Sequence, residues 1–225
     1  MSEILFANRR DAGRALARAL AAHAHRPDTL VLALPRGGVP LGFEVAQALG
    51  LPLDVFIVRK LGLPGWQERA MGALASGGLC VLDEDIVRAE GVSPAQIKAA
   101  LDTQHRELAR REALYRAHRP PLAPRGQTLL LVDDGLATGA TMRAAVRALR
   151  SQQPARIVVA VPVAGRAACD ALRSEADAVV SLAFAESLRS VGEWYGDFTQ
   201  TTDEQVRQLL GAAQTPHADL IARVP

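Results

Sequence analysis

Apolar positions along this chain gather in short runs, and between the runs they recur every three or four residues. The runs Thr29–Leu34, Leu53–Arg59, Leu79–Leu82, Thr128–Val132, Arg156–Val161 and Ala178–Phe184 predict strands. Several are apolar at nearly every position, the pattern of strands covered by helices on both faces. The periodic segments Asp11–His23, Pro40–Leu49, Pro94–Ala117, Thr141–Ser151, Arg166–Ser174 and Asp203–Ala212 predict helices. Strands alternating with helices predict βαβ units, hence an α/β fold whose open, mostly parallel sheet is flanked by helices.

The segment Pro94–Ala117 is unlike the other helices. It is polar and alternately charged over about six turns, with Ile97, Leu101, Leu108 and Tyr115 as a thin apolar stripe. Ser93 reads as an N-cap followed by proline at the first helical position, and Pro120, Pro121 and Pro124 end the helix. Such a helix is expected to brace the fold, with a lid or a dimer contact as the alternatives.

A length of 225 residues fits one α/β domain. Its core is expected over 29–184, with a helical insertion over 84–120 and a small hood from 185–225 together with the N-terminal residues. The 49% hydrophobic and 22% charged residues allow a sizeable core. A formal charge of only +2 speaks against nucleic acid or an anionic membrane as a general partner. Cys80 and Cys169 match no zinc or redox spacing and are expected as small apolar residues in a reducing compartment. No window reaches the roughly 18 apolar residues of a membrane span, and no basic stretch precedes an apolar run at the N-terminus. The expected location is the cytoplasm.

The chemistry concentrates in Leu129-Leu130-Leu131-Val132-Asp133-Asp134-Gly135-Leu136-Ala137-Thr138-Gly139-Ala140-Thr141. An apolar strand ends in two carboxylates, then a turn of small residues, then a helix. Ligands of open α/β sheets gather at the carboxyl ends of strands. The turn Ala137–Thr141 offers amides and hydroxyls at a helix N-terminus, where the dipole favours an anion. Gly139 and Ala140 keep side chains out of a phosphate's way. An Asp pair beside that cradle repels a bare phosphate, unless the ligand also carries hydroxyls or a cation. A phosphate, a vicinal diol and Mg²⁺ together describe a phosphorylated ribose. A cap alone explains one Asp or one Thr, not this set.

This segment resembles the motif by which type I phosphoribosyltransferases bind 5-phosphoribosyl-1-pyrophosphate (PRPP), and the match is complete over these positions. The resemblance implies the Rossmann-like fold of that family, with a small hood and a long inserted helix. It implies that Asp133 and Asp134 hold the ribose hydroxyls, directly or through Mg²⁺, and that Ala137, Thr138, Gly139, Ala140 and Thr141 bind the 5′-phosphate.

Two further segments extend it. The first strand ends Pro35-Arg36-Gly37-Gly38, where glycines free backbone amides and Arg36 supplies a charged fork. The family places a pyrophosphate loop there, although the same residues also make an ordinary turn. The second strand runs through Arg59 and Lys60 into Leu61–Gly78, a stretch with five glycines expected as a long, functional loop. It resembles the mobile loop of purine phosphoribosyltransferases. That likeness implies Arg59 and Lys60 on pyrophosphate oxygens, with Glu68 or Arg69 entering on closure.

After the last strand, Trp194, Tyr195 and Phe198 fall close together in a chain of few aromatics. The family uses this place for the acceptor, which makes Trp194, Tyr195 and Asp197 acceptor candidates; the other reading is that these rings anchor the C-terminal helix. Purine-specific and orotate-specific patterns are not matched here. The expected function is therefore an Mg²⁺-dependent glycosyltransferase (a pentosyltransferase) that passes the phosphoribosyl group of PRPP to an unidentified small-molecule acceptor, a nucleobase among the candidates. Arg36, Lys60, Asp133 and Asp134 carry the chemistry, and a homodimer is compatible with it. A PRPP or nucleotide sensor without turnover and a ribose-phosphate hydrolase are the alternatives.

Overall fold

The structure is a computed structural model that describes residues 4–116, 119–186 and 188–213. In chain order the strands are β1 (Thr29–Ala33), β2 (Leu53–Val55), β3 (Val58–Leu63), β4 (Trp66–Ala75), β5 (Leu79–Leu82), β6 (Thr128–Val132), β7 (Arg156–Gly165) and β8 (Ala178–Ala185). The helices are α1 (Arg9–Ala19), α2 (Gly38–Leu49), α3 (Glu84–Ala89), α4 (Pro94–Arg116), α5 (Ala140–Arg150), α6 (Arg166–Arg173) and α7 (Asp203–Ala212).

Five strands form the expected parallel sheet, in the order β2-β1-β6-β7-β8. Side chains alternate across a strand, so each central strand feeds two cores. Val31, Ala33, Leu130, Val132, Val158 and Ala160 face one of them, shared with Leu16 of α1 and Val45 of α2. Leu32, Leu129, Leu131, Val159 and Val161 face the other, shared with Val146 of α5 and Leu172 of α6. Burial on both faces explains why these strands read as unbroken apolar runs.

The strand order reverses between β1 and β6. The chain leaves β1 for α2 on one face and leaves β6 for α5 on the opposite face. The two connections splay apart and leave a crevice at the carboxyl ends of β1 and β6, where open α/β sheets bind their ligands.

The stretch after β2 corrects the sequence reading. Leu53–Arg59 is not one strand, since the backbone leaves the parallel sheet after Val55 and restarts at Val58 in a second sheet. Leu61–Gly78 is not a loop. It completes β3 and forms β4, which with β5 makes an antiparallel sheet in the order β3-β4-β5. Its glycines serve pairing and turns: Gly65 takes φ +79° in the β3–β4 turn, and a Cβ on Gly72 would stand 2.4 Å from the Val81 carbonyl of the neighbouring strand. Leu61, Leu63, Met71 and Leu74 are buried and supply the apolar face that holds the hairpin down. Strand Leu79–Leu82 thus belongs to this second sheet, and α3 lies within the expected helical insertion as a short helix separate from α4.

Helix α4 is fastened to the parallel sheet by buried charge. Asp54 of β2 accepts from Arg116 Nε and Nη2, both at 3.0 Å, and lies 3.4 Å from Arg119 Nη1. Arg119, beyond the end of α4, also donates to the carbonyls of Leu53 and Leu210, which ties the segment after α4 to β2 and α7. Ala117, the predicted last residue of this helix, lies outside the described residues. No helix among the described residues is long and apolar enough to cross a membrane.

Candidate active site

Strand β6 pairs with β1 through Val132 and Ala33 and then delivers Asp133 and Asp134 to the crevice. Asp133 Oδ1 accepts the Asp134 amide at 2.9 Å, which fixes the first carboxylate above the strand end. Burial and the neighbouring Asp134 charge push the Asp133 carboxyl well above the usual carboxylate range. Asp134 is raised as well, by burial, although Arg9 opposes the shift. Two adjacent carboxylates that resist ionisation lower their energy by gaining a cation or hydroxyl donors.

Arg9, at the start of α1, meets Asp134 Oδ2 through Nε and Nη2, each at 2.9 Å. Its Nη1 donates to the Thr199 carbonyl at 2.7 Å, and its guanidinium carbon lies 3.8 Å from the centre of the Phe198 ring. Below them the buried Tyr195 hydroxyl donates to the Asp134 carbonyl at 2.6 Å. Both ends of Asp134 are therefore held.

The loop after β1 closes against the same pair. A Cβ on Gly37 would stand 2.0 Å from Asp134 Oδ2, and one on Gly38 would stand 2.6 Å from the Val132 carbonyl. Only glycine permits that approach. The Pro35–Arg36 peptide is cis. The cavity beside this loop measures about 500 Å³, and Arg9, Arg36 and Arg111 bring three guanidinium groups to its wall, with Asp134 and Phe198.

The segment after the Asp pair is strapped across β7: Leu136 donates to the Val163 carbonyl at 2.9 Å, and Gly165 returns a bond to the Leu136 carbonyl at 2.8 Å. Ala137 and Thr138 follow, with Thr138 exposed. Gly139 takes φ +74° as the N-cap of α5, a left-handed conformation that favours glycine. The first turn of α5, from Ala140 and Thr141, presents N–H groups that have no partner within the helix. Strand end, carboxylate pair and amide-lined helix start thus sit on one edge of the sheet.

Of the remaining predicted residues, Tyr195 meets Asp134 from below, and the others whose side chains are described do not line the cavity at the Asp pair. Arg59 and Lys60 lie in β3, opposite Leu74 and Ala73. Arg59 donates to Gln104 Oε1 of α4 at 3.0 Å, and Lys60 is exposed; neither lines the cavity at the Asp pair. The Glu68 side chain lies outside the described residues, and Arg69 pairs with Glu90 on the second sheet's side of the molecule. Trp194 is half-buried and its carbonyl accepts the amides of Leu5 and Phe6, both at 3.1 Å. Tyr195 packs between Phe6 and Phe198, with ring centres 5.7 and 5.0 Å away. Asp197 caps its own turn by accepting from the Thr199 amide and hydroxyl, at 2.8 and 2.6 Å. It faces an adjoining cleft of about 610 Å³ between α1 and α7. Sequence reading did not single out Arg9, Arg111, Tyr115 or Asp203. For Phe198 there was a signal, its place among clustered aromatics.

A model of the family described as the phosphoribosyl transferase domain matches residues 2–190 of this chain. Two Mycobacterium tuberculosis proteins, from strains CDC 1551 and H37Rv, are each 41% identical over 215 residues, covering 96% of this chain and 48% of their own length. They are named "Putative phosphoribosyl transferase MT0597" and "Putative phosphoribosyl transferase Rv0571c". The chain thus spans about half the length of the curated relatives it matches, 48%. The crystal structure of TT1426 from Thermus thermophilus superposes with a TM-score of 0.82 at 42% identity, over 92% of this chain and 97% of that one.

Proposed function

Because the chain belongs to the phosphoribosyl transferase domain family, we propose that it transfers the 5-phosphoribosyl group of PRPP to a nitrogen acceptor and releases pyrophosphate. The observation that carries this reading is the carboxylate pair Asp133–Asp134, raised in pKa and pressed against Gly37 of the opposite loop. A ligand that places a diol and a cation on the pair, one anion on the α5 turn and another beside Arg36 satisfies every charged group there.

The donor set fits Mg²⁺. Among the described residues no cluster of three or more His, Cys, Asp or Glu side chains is positioned to hold a metal. A hard cation that keeps its waters and takes one or two carboxylates, with ligand oxygens filling the rest, suits Asp133 and Asp134. When bound, it would offset the charge of the departing pyrophosphate.

Each residue then has a role that needs no covalent nucleophile. Asp133 and Asp134 hold the ribose diol. Gly139 and the first turn of α5 receive the 5′-phosphate. Arg36, through its fork, holds the leaving group. Displacement at C1 breaks the bond to pyrophosphate and forms one to the acceptor nitrogen. The sugar is cationic in the transition state, so fixed anions near it and fixed cations near the leaving group lower the barrier.

The test is a panel of purines, pyrimidines and simple amines, each incubated with protein, PRPP and Mg²⁺, with pyrophosphate release as the readout. Release stimulated by one acceptor class supports transfer. Release without any acceptor indicates hydrolysis, and binding without release indicates a sensor; either result overturns the proposal.

A further inference from the structure

Helix α4 reaches the crevice from outside the parallel sheet and brings Arg111 to the cavity wall. Arg111 Nε donates to Glu107 Oε1 at 2.8 Å, one turn back on the same helix. Its two Nη groups have no partner among the described residues. Arg9, by contrast, is committed to Asp134, Thr199 and the Phe198 ring. Arg36 and Arg111 are therefore the cations on this wall still available to an anion.

Arg36 is held from α7, and α4 sets the residue that holds it. Its Nη1 lies 3.5 Å from Asp203 Oδ1, and the same oxygen accepts the Tyr115 hydroxyl at 2.6 Å. Tyr115 is buried, and burial together with the Asp203 carboxylate pushes its pKa up to about 12, so it stays a donor at neutral pH. Asp203 is the first residue of α7, whose start is fixed by a capping box formed by Thr202 and Gln205. A buried hydroxyl thus sets one carboxylate, and that carboxylate sets the loop arginine.

We infer that α4 is part of the anion-binding machinery: Arg111 contacts the diphosphate end of the ligand, and Tyr115, through Asp203, is a positioning residue for Arg36. The inference rests on the reading of this crevice as a PRPP site. It changes the role of the long helix from a brace to a wall of the site.

Calorimetric titration of wild type, Arg111→Gln and Tyr115→Phe separates the possibilities, with three probes: PRPP with Mg²⁺, pyrophosphate with Mg²⁺, and ribose 5-phosphate. Loss of a charge-assisted contact is expected to weaken PRPP and pyrophosphate binding about tenfold or more in Arg111→Gln. Tyr115→Phe keeps the ring and is expected to weaken the same two probes by about threefold to tenfold. Ribose 5-phosphate binding stays within about twofold in both variants. A Tyr115 that only packs the helix changes all three probes alike or none, and either pattern overturns the inference. Wild type that binds none of the probes overturns the PRPP reading itself, and the inference with it, before any variant is made.

Discussion

Arg9 and Asp134 form a two-point contact, 2.9 Å at each nitrogen, that joins the start of α1 to the end of β6 across 125 residues of sequence. The pair is nearly dry, with side-chain exposures of 11% and 17%. Arg9 opposes the rise in the Asp134 pKa that burial imposes. Arg9→Met is expected to raise that pKa further, so that Asp134 binds its proton at higher pH. PRPP–Mg²⁺ affinity should then fall about tenfold at pH 6 and by less at pH 8, since one missing charge partner is worth about a pKa unit or more. Titrations at both pH values check this, and equal losses would contradict it.

Asp133 gives a stability effect of opposite sign to its role in binding. Its folded-state pKa lies above the unfolded value, so the folded protein binds the extra proton. The stabilisation from that proton is fully present below the unfolded pKa of about 4 and is lost as pH rises through the folded pKa. At pH values above the unfolded pKa, Asp133 therefore opposes folding of the unliganded protein. Asp133→Asn is expected to raise Tm by about 2–4 °C at pH 7.5, equivalent to roughly 1 kcal/mol, and to leave it nearly unchanged at pH 4. The same variant should lose PRPP binding. Calorimetric melting at the two pH values, with and without PRPP, reads both effects.

The neighbouring glycines should differ in how they fail. A methyl at Gly37 meets the tip of the Asp134 side chain, which can swing, whereas one at Gly38 meets the fixed Val132 carbonyl. Gly37→Ala is expected to keep its fold and to lose at least about tenfold in PRPP affinity, because Asp134 leaves its place. Gly38→Ala is expected to lose about 1–3 kcal/mol of stability as well. Denaturant unfolding beside PRPP titration distinguishes them.

Asp54 lies between the guanidiniums of Arg116 and Arg119, with side-chain exposures of 13%, 11% and 8% in that order. Asp54→Asn removes the one carboxylate that both use and leaves charge stranded. A loss of about 3–5 kcal/mol is expected, visible as a lowered urea midpoint with an unchanged m-value.

What the sequence made legible was local. The run from Leu129 to Thr141 holds strand, carboxylates, left-handed turn and helix start within one stretch, so each piece could be read against its neighbours. The apolar runs disclosed the parallel sheet because both faces of its central strands are buried. Leu61–Gly78 misled because glycines that serve strand pairing at Gly72 and a turn at Gly65 look, in sequence, like a flexible loop. Arg9 left no trace, since nothing near it in sequence announces a carboxylate 125 residues away. Tyr115 counted as part of an apolar stripe, and its ring is indeed buried; the hydroxyl that reaches Asp203 is a tertiary fact.

The central claim is that the edge of the sheet at Asp134 receives PRPP, and ligand-induced thermal stabilisation tests it most directly. With Mg²⁺ and PRPP at about a hundredfold excess over Kd, wild type should gain roughly 5–10 °C in Tm, and Asp134→Ala should lose most of that gain. No shift in wild type, or the same shift in the variant, would contradict the account.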